Sequence, residues 1–121
     1  MTKKLGITDA ELPIMKVLWE CGSATSPEIL ERVEGNSATI KTLLLRLVQR
    51  GAVEYDKMNS RTYRYRPSVM KEEYAAYKKQ RLIDNCFDGS VESLLYSLVT
   101  AGSVSADYLK TLINLAEGKS A

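Results

Sequence analysis

The chain has 121 residues, of which 45% are hydrophobic, which is typical of one small globular domain or of a domain with an appendage. Its net charge is +2, and it contains no histidine, which excludes a Ser-His-Asp or Cys-His catalytic arrangement and removes the commonest metal ligand. Its two cysteines form no C-x-x-C pair, and it has neither a glycine-rich phosphate motif, a membrane-length apolar run, nor a signal peptide. We therefore expect a cytoplasmic protein that is not an enzyme and that has no metal, no cofactor and no membrane association.

The first two predicted helices are short and lie close together in the sequence. Thr8 and Glu11 form a capping box ahead of the first helix, and Pro13 should bend that helix or delay its start. The second helix is expected to begin with Ser26 as its N-cap and with Pro27 at the first helical position. A glycine follows each of these helices and can end it.

The third predicted helix is the segment "SATIKTLLLRLVQRG", residues 37–51, with Ser37 as its N-cap. One face is apolar, through Ile40, Leu43, Leu44, Leu47 and Val48. The other face carries threonine, lysine, arginine and one exposed leucine, and no acidic residue. Two helices joined by a brief turn give the outline of a helix-turn-helix.

After the third helix the apolar period changes from helical to alternating. The segments "AVEYDK" and "RTYRYRP" flank a turn that contains Asn59 and Ser60, which predicts a β-hairpin ending at Pro67. Its tyrosine face is expected to lie on the helices, because a two-stranded hairpin is marginal alone. Its outer face and tip carry the basic residues Lys57, Arg61, Arg64 and Arg66. Three helices and a basic hairpin together predict a winged helix-turn-helix.

From Ser68 onward, three amphipathic helices are predicted, the first of them capped by Ser68. The last two carry more large apolar side chains than so short a region can bury, and we expect them to be covered by a second copy of the chain. The predicted fold is therefore mainly α with a β wing: a DNA-binding domain over residues 1–67 and a helical dimerisation domain over residues 68–121. The dimerisation residues are expected to be Leu94, Leu95, Leu98, Tyr108, Leu109, Leu112 and Ile113.

The basic residues are concentrated in the middle of the chain. Residues 36–67 carry 7 basic and 2 acidic side chains, a net of +5, whereas residues 1–35 have a net of −2 and residues 68–121 a net of −1. In a helix-turn-helix the second helix enters the major groove, where lysine, arginine and threonine can contact bases and phosphates and a leucine can touch a thymine methyl. The predicted DNA-binding residues are Ser37, Thr39, Lys41, Thr42, Leu45, Arg46, Lys57, Arg61, Arg64 and Arg66.

Each of these features also has a simpler interpretation. Thr39 and Thr42 can be ordinary surface residues, and Arg46 and Arg50 can pair with nearby carboxylates. The hairpin arginines can serve to protect an exposed sheet edge. The alternative function is a winged-helix protein-interaction module that does not bind DNA.

The segments "ITDAELPIMKVLWECGSATSPEILERV", "ATIKTLLLRLVQRGAVEYDK" and "TYRYRPSV" resemble the penicillinase-repressor family, which includes BlaI, MecI and the copper-responsive CopY. The resemblance runs from about residue 7 to about residue 70 and continues loosely through "GSVESLLYSLV". It implies a homodimeric winged-helix repressor of inverted-repeat operators of the TACA/TGTA type, with C-terminal helices that interlock two protomers. By position, the family's DNA-contacting run corresponds to Thr39, Lys41 and Thr42, with Arg46 one turn later.

The sequence also departs from that family's pattern. BlaI and MecI are cleaved at an Asn-Phe bond by a sensor protease, which is therefore a further partner to consider, but Ser97 and Leu98 stand at that bond here. The copper-binding cysteine tail of CopY is absent, since no cysteine follows Cys86. Ala38 replaces a basic residue common before the threonine–basic–threonine run, and the operator sequence can differ accordingly.

Overall fold

The computed structural model describes residues 2–119, and within them six α-helices and three β-strands follow a short 3₁₀ helix at Thr2–Leu5. In chain order they are α1 (Leu12–Cys21), β1 (Ala24–Thr25), α2 (Ser26–Arg32), α3 (Ser37–Gln49), β2 (Val53–Lys57), β3 (Tyr63–Pro67), α4 (Lys71–Cys86), α5 (Val91–Thr100) and α6 (Ala106–Ala116). The described residues divide into two compact units, one up to Tyr77 and one from Lys78 onward. None of the helices within the described residues is long and apolar enough to cross a membrane.

The start of α1 follows the predicted capping box and the predicted effect of proline. The backbone N–H of Thr8 donates to Glu11 Oε1 at 3.0 Å, and the backbone N–H of Glu11 donates to Thr8 Oγ1 at 3.2 Å. The regular helix begins only at Leu12, with Pro13 in its first turn. Proline is tolerated at this position because the N–H groups of the first helical turn have no partner within the helix. A residue that lacks an N–H therefore costs no hydrogen bond there.

Two predicted N-caps were each wrong by one residue. Thr25, not Ser26, caps α2, through a capping box in which its hydroxyl and the Glu28 carboxylate each accept a backbone N–H. Asn36, not Ser37, caps α3, and its Oδ1 accepts the N–H of Ala38 at 2.7 Å. Both caps have the extended backbone that a capping residue needs, so Ser26 and Ser37 become the first helical residues.

The predicted hairpin is present, but it belongs to a three-stranded antiparallel sheet of order β1-β3-β2. In its register Tyr55 lies opposite Tyr65, and Ala24 of β1 pairs with Tyr65 on the other side. The two-residue strand β1 was not predicted. Because β3 is the central strand, its two arginines do not protect a sheet edge.

The core of the first unit lies between α1, α2, α3 and the base of the sheet. Its fully buried side chains of largest volume are Ile14, Met15, Leu18, Ile29, Leu47, Glu11, Val53 and Val69. The apolar face predicted for α3 contributes directly, since Ile40, Leu44 and Leu47 are all buried. Burial of a leucine or isoleucine side chain stabilises by roughly 1.5–3 kcal/mol. This core therefore holds α3 by one face and leaves its other face outside.

The first unit extends into α4. Trp19 Nε1 donates to the backbone carbonyl of Val69 at 2.7 Å, and the Trp19 ring lies 5.6 Å from the ring of Tyr74. Ser68 does not cap α4 as predicted: its N–H donates to the carbonyl of Ala52, and the helix begins three residues later. The contacts of Trp19 therefore attach the first turns of α4 to the first unit.

The second unit contains the rest of α4 together with α5 and α6. Ser90 caps α5 and Ser105 caps α6, each accepting a backbone N–H three residues later. Neither helix has a buried residue. Their exposed large apolar side chains are Val91, Leu95, Tyr96, Leu98, Val99, Tyr108, Ile113 and Leu115.

Candidate nucleic-acid interface

The outward face of α3 is exposed along its full length. The predicted residues on it are all exposed: Ser37, Thr39, Lys41, Thr42, Leu45 and Arg46. Leu45 is 55% exposed, whereas its neighbour Leu44 is only 4% exposed. Of these, Thr39, Thr42 and Arg46 line one shallow depression, whereas Lys41 and Leu45 lie on the side next to the wing. Ile40, Leu44 and Leu47 anchor the helix in the core.

The two cations of this face are not neutralised by carboxylates. Within residues 2–119, no carboxylate oxygen lies within ion-pair distance of Lys41 or Arg46, so the ion pairing considered for Arg46 is not formed. Thr42 donates its hydroxyl hydrogen to the carbonyl of Ala38 at 3.0 Å, which leaves its oxygen free to accept a bond. The face therefore presents positive charge and hydroxyl groups without nearby negative charge.

Arg50, at the C-terminal end of α3, is paired instead with a buried carboxylate. It donates to Glu11 Oε1, and the Glu11 side chain is 2% exposed. Burial by itself raises the pKa of Glu11, but the hydrogen bonds from Arg50 and Thr8 and the charge of Arg50 outweigh it and hold the pKa below the ordinary 4.5. This contact fixes the end of α3 to the turn before α1.

The wing separates its charged and aromatic side chains onto opposite faces. Side chains alternate along each strand, so Glu54, Asp56, Arg64 and Arg66 share one face, and Tyr55, Lys57, Tyr63 and Tyr65 share the other. Arg66 pairs with Asp56 and, at 3.2 Å, with Glu54. Arg64 lies 3.7 Å from Glu28 and donates to Ser23 Oγ at 3.2 Å. The outward arginines were predicted to bind DNA, and each of them has a carboxylate partner within the protein.

The tip of the wing carries the other two predicted cations. Lys57 ends β2 and lies opposite Tyr63, and Arg61 lies in the turn. Asn59 Oδ1 accepts the N–H groups of Arg61 and Thr62 at 2.9 and 3.0 Å, which holds the turn in a defined conformation. No carboxylate within the described range pairs with Lys57 or Arg61.

The tyrosine face of the wing lies toward α3, but only Tyr65 of its three tyrosines packs against the core. Tyr55 is 50% exposed and Tyr63 is 36% exposed, while Tyr65 is half-buried against the core. Together with Ser26 of α2 they form one wall of a groove of about 390 Å³. The α3 side of that groove is formed by Lys41, Leu44, Leu45 and Val48. The groove was not predicted, although the alternating tyrosines in "YRYR" were its signal in the sequence.

The family model for the penicillinase repressor matches residues 7–118 of the chain. The chain belongs to the penicillinase repressor family. The Bacillus licheniformis penicillinase repressor is 28% identical over 97% of this chain and 94% of its own length. The methicillin resistance regulatory protein MecI of Staphylococcus aureus (strain N315) is 27% identical over 97% of this chain and 98% of its own length.

A solved structure confirms the winged-helix fold. The solution structure of the DNA-binding domain of the repressor BlaI matches this chain with a TM-score of 0.54 and a sequence identity of 35%. The match covers 61% of this chain and 94% of the BlaI domain. The fold and the family resemblance predicted from the sequence are therefore confirmed.

Proposed function

We propose that the protein is a sequence-specific transcriptional repressor that binds, as a homodimer, an inverted-repeat operator of the TACA/TGTA type in the cytoplasm. The observation that carries the proposal is the exposed, carboxylate-free outer face of α3, in a chain whose family is that of the penicillinase repressor. DNA repels carboxylates and attracts unpaired cations, so such a face is suited to the major groove.

The residues of this face have distinct roles in the proposal. Lys41 and Arg46 would bond guanine edges or phosphates, since neither is held by a carboxylate of the protein. Ser37, Thr39 and the N-terminal N–H groups of α3 would hold a phosphate that sets the register. Leu45 would touch a thymine methyl, and Lys57 and Arg61 at the wing tip would reach the neighbouring backbone.

The dimer in the proposal is formed by the second unit. Of the seven predicted dimerisation residues, Leu95, Leu98, Tyr108 and Ile113 are exposed large apolar side chains. Exposed apolar side chains on two successive helices are costly to leave in water, and a second copy would cover the same residues symmetrically. The same dimer would place two copies of α3 on two half-sites, as an inverted repeat requires.

The test is DNA binding by the Lys41→Ala and Arg46→Ala variants, measured by fluorescence anisotropy on a duplex from upstream of the protein's own gene. Each variant should lose about 1–3 kcal/mol of specific binding per site. Its thermal unfolding should stay within about 0.5 kcal/mol of the parent, because both residues are exposed.

Lys79→Ala is the matched control, since Lys79 is an exposed helical lysine outside the proposed interface. It should bind the duplex with the affinity of the parent protein. Full-strength binding by both the Lys41 and Arg46 variants would show that the face is wrongly assigned. The protein-interaction alternative predicts that the parent protein itself has no preference for this duplex over an unrelated one.

A sensor protease stays a predicted partner. Ser97 and Leu98 both lie within α5 and are exposed. Cleavage there would cut one of the two helices that the proposed dimer needs.

A further inference from the structure

The groove between α3 and the wing has the size of a small-molecule site. Its volume of about 390 Å³ lies within the range of roughly 300–1,000 Å³ common for ligand pockets. The rings of Tyr55 and Tyr63 meet edge to face at 5.3 Å, and the rings of Tyr55 and Tyr65 lie 6.0 Å apart at a tilt of 47°. Opposite them, Leu44 and Val48 give an apolar floor. A planar apolar body could pack between these surfaces.

The polar groups of the groove are unused by the protein. No described residue forms a hydrogen bond with the hydroxyls of Tyr55, Tyr63 or Tyr65. Lys41 lies at the groove without a carboxylate partner among residues 2–119. These groups can therefore donate to a ligand without breaking an existing bond.

The groove carries positive charge because side chains alternate between the two faces of the wing, which places the acidic residues of β2 on the face away from the groove. Glu54 and Asp56 lie on the opposite face of the sheet, where Arg66 pairs with both. Lys57 lies on the tyrosine face, directly opposite Tyr63. An anionic head would therefore meet Lys41, with Lys57 further along the same side, and no acid on that face of the wing to repel it.

We propose that this groove binds a small aromatic anion, with its ring between the tyrosines and the α3 floor and its carboxylate on Lys41. A bare phosphate of the DNA backbone has the charge but not the apolar body that Leu44, Val48 and the three rings would cover. The groove is therefore assigned to a low-molecular-weight effector.

The groove and the DNA face share residues, which makes the effector a competitor of DNA. Lys41 and Leu45 line the groove and also lie on the outer face of α3. A ligand that occupies Lys41 removes a cation from the major groove and fills the space beside the wing. This regulatory role rests on the proposed repressor function, whereas binding of the anion does not.

The test uses 2-naphthoate as the probe and the full chain without DNA, in equilibrium dialysis at neutral pH. We expect one saturable site per protomer, with binding at least about tenfold tighter than that of the uncharged 2-naphthylmethanol, because the carboxylate adds a charge-assisted bond. Acetate, which has the charge without the ring, should not compete. Tyr55→Ala should weaken binding of 2-naphthoate about fivefold or more through loss of one ring contact.

Lys79→Ala is the control, since Lys79 is exposed on α4 and does not line the groove, and it should bind 2-naphthoate as the parent does. In a second arm, the operator dissociation constant should rise about a hundredfold at about nine times the dissociation constant of 2-naphthoate, because both grooves of the proposed dimer must be empty for operator binding. Equal binding of the uncharged alcohol, unchanged binding by Tyr55→Ala, or unchanged operator affinity at saturation would each overturn the proposal. A chain that binds 2-naphthoate through Tyr55 but no operator would refute the repressor function and leave the anion site standing.

Discussion

Arg50 and Glu11 form one contact that joins the end of α3 to the turn before α1. Glu11 is a buried carboxylate. Without Arg50, the free-energy cost of removing its charge from water would not be offset by an ion pair. Pairing of Arg50 with a carboxylate was one of the interpretations that the sequence left open. Periodicity could not identify the partner, because Glu11 lies 39 residues away and was assigned to the capping box alone.

The contact predicts a pH dependence of stability. The pKa of Glu11 is lowered in the folded protein, so ionised Glu11 stabilises the fold above the ordinary value of 4.5, and this stabilisation is lost as pH falls through the folded pKa. Glu11→Gln should lower the free energy of unfolding near neutral pH by about 1–3 kcal/mol. It should also flatten the decline of stability below pH 4.5, measured by urea unfolding across a pH series.

The matched control for this prediction is Glu31→Gln, at an exposed glutamate of α2. It should unfold like the parent at every pH. An acid-induced loss of stability as steep in Glu11→Gln as in the parent would mean that the Arg50 contact does not stabilise the fold.

At the scale of the elements, the periodic pattern predicted α3 and the hairpin, and the structure confirms both. It failed where two neighbouring residues could both act as caps. Thr25 and Ser26 form one such pair and Asn36 and Ser37 the other, and the choice depends on which residue has extended backbone. Strand β1 was missed because two residues are too short to show a period of two.

The wing shows what alternation can and cannot predict. It correctly separated the tyrosines from Arg64 and Arg66, since that separation follows from the pleat. The alternation did not predict how much of the Tyr55 side chain would be buried, because its burial depends on the distance between the wing and α3. Nor did it show that Arg66 would be neutralised, although Glu54 is its direct cross-strand partner.

The wing therefore predicts a difference between its basic residues in DNA binding. Lys57→Ala should reduce the salt dependence of operator binding by about one unit of slope for each protomer, because one unpaired cation is lost. The double variant Glu54→Gln/Arg66→Gln removes a paired acid and base together and should bind almost like the parent. Anisotropy titrations over a KCl series measure both.

If the double variant lost as much affinity as Lys57→Ala, Arg66 would be a DNA contact despite its carboxylate partners. The double variant is preferred to Arg66→Ala because it leaves the net charge of the wing unchanged, and only Asp56 loses its partner, whereas the single change removes a cation and leaves both Glu54 and Asp56 unpaired.

At the scale of the whole molecule, the first compact unit ends at Tyr77, ten residues beyond the boundary at residue 67 expected from the change in composition. The cause is the contact of Trp19 with Tyr74 and with the carbonyl of Val69, a long-range packing that local composition does not reveal. The residue at which DNA binding ends and dimerisation begins stays a prediction.

This packing defines how the proposed dimer should be tested. A chain ending at residue 77 keeps the Trp19 contacts and should fold. The separately solved DNA-binding domain of BlaI matches 61% of the full chain. It should sediment as a monomer, and its operator affinity should fall about 10²–10⁴-fold through loss of the linked second half-site. A full chain that sediments as a monomer at micromolar concentration would contradict the dimer.

The salt dependence of operator binding tests the central claim most directly, because it counts the cations that meet phosphates. Lys41, Arg46, Lys57 and Arg61 are the predicted cations without a carboxylate partner in the described chain, and a dimer doubles them. With three or four contacts per protomer, a plot of the logarithm of the binding constant against that of KCl concentration should have a slope of about −5 to −7. A slope near zero would contradict the assignment of α3 and the wing to DNA.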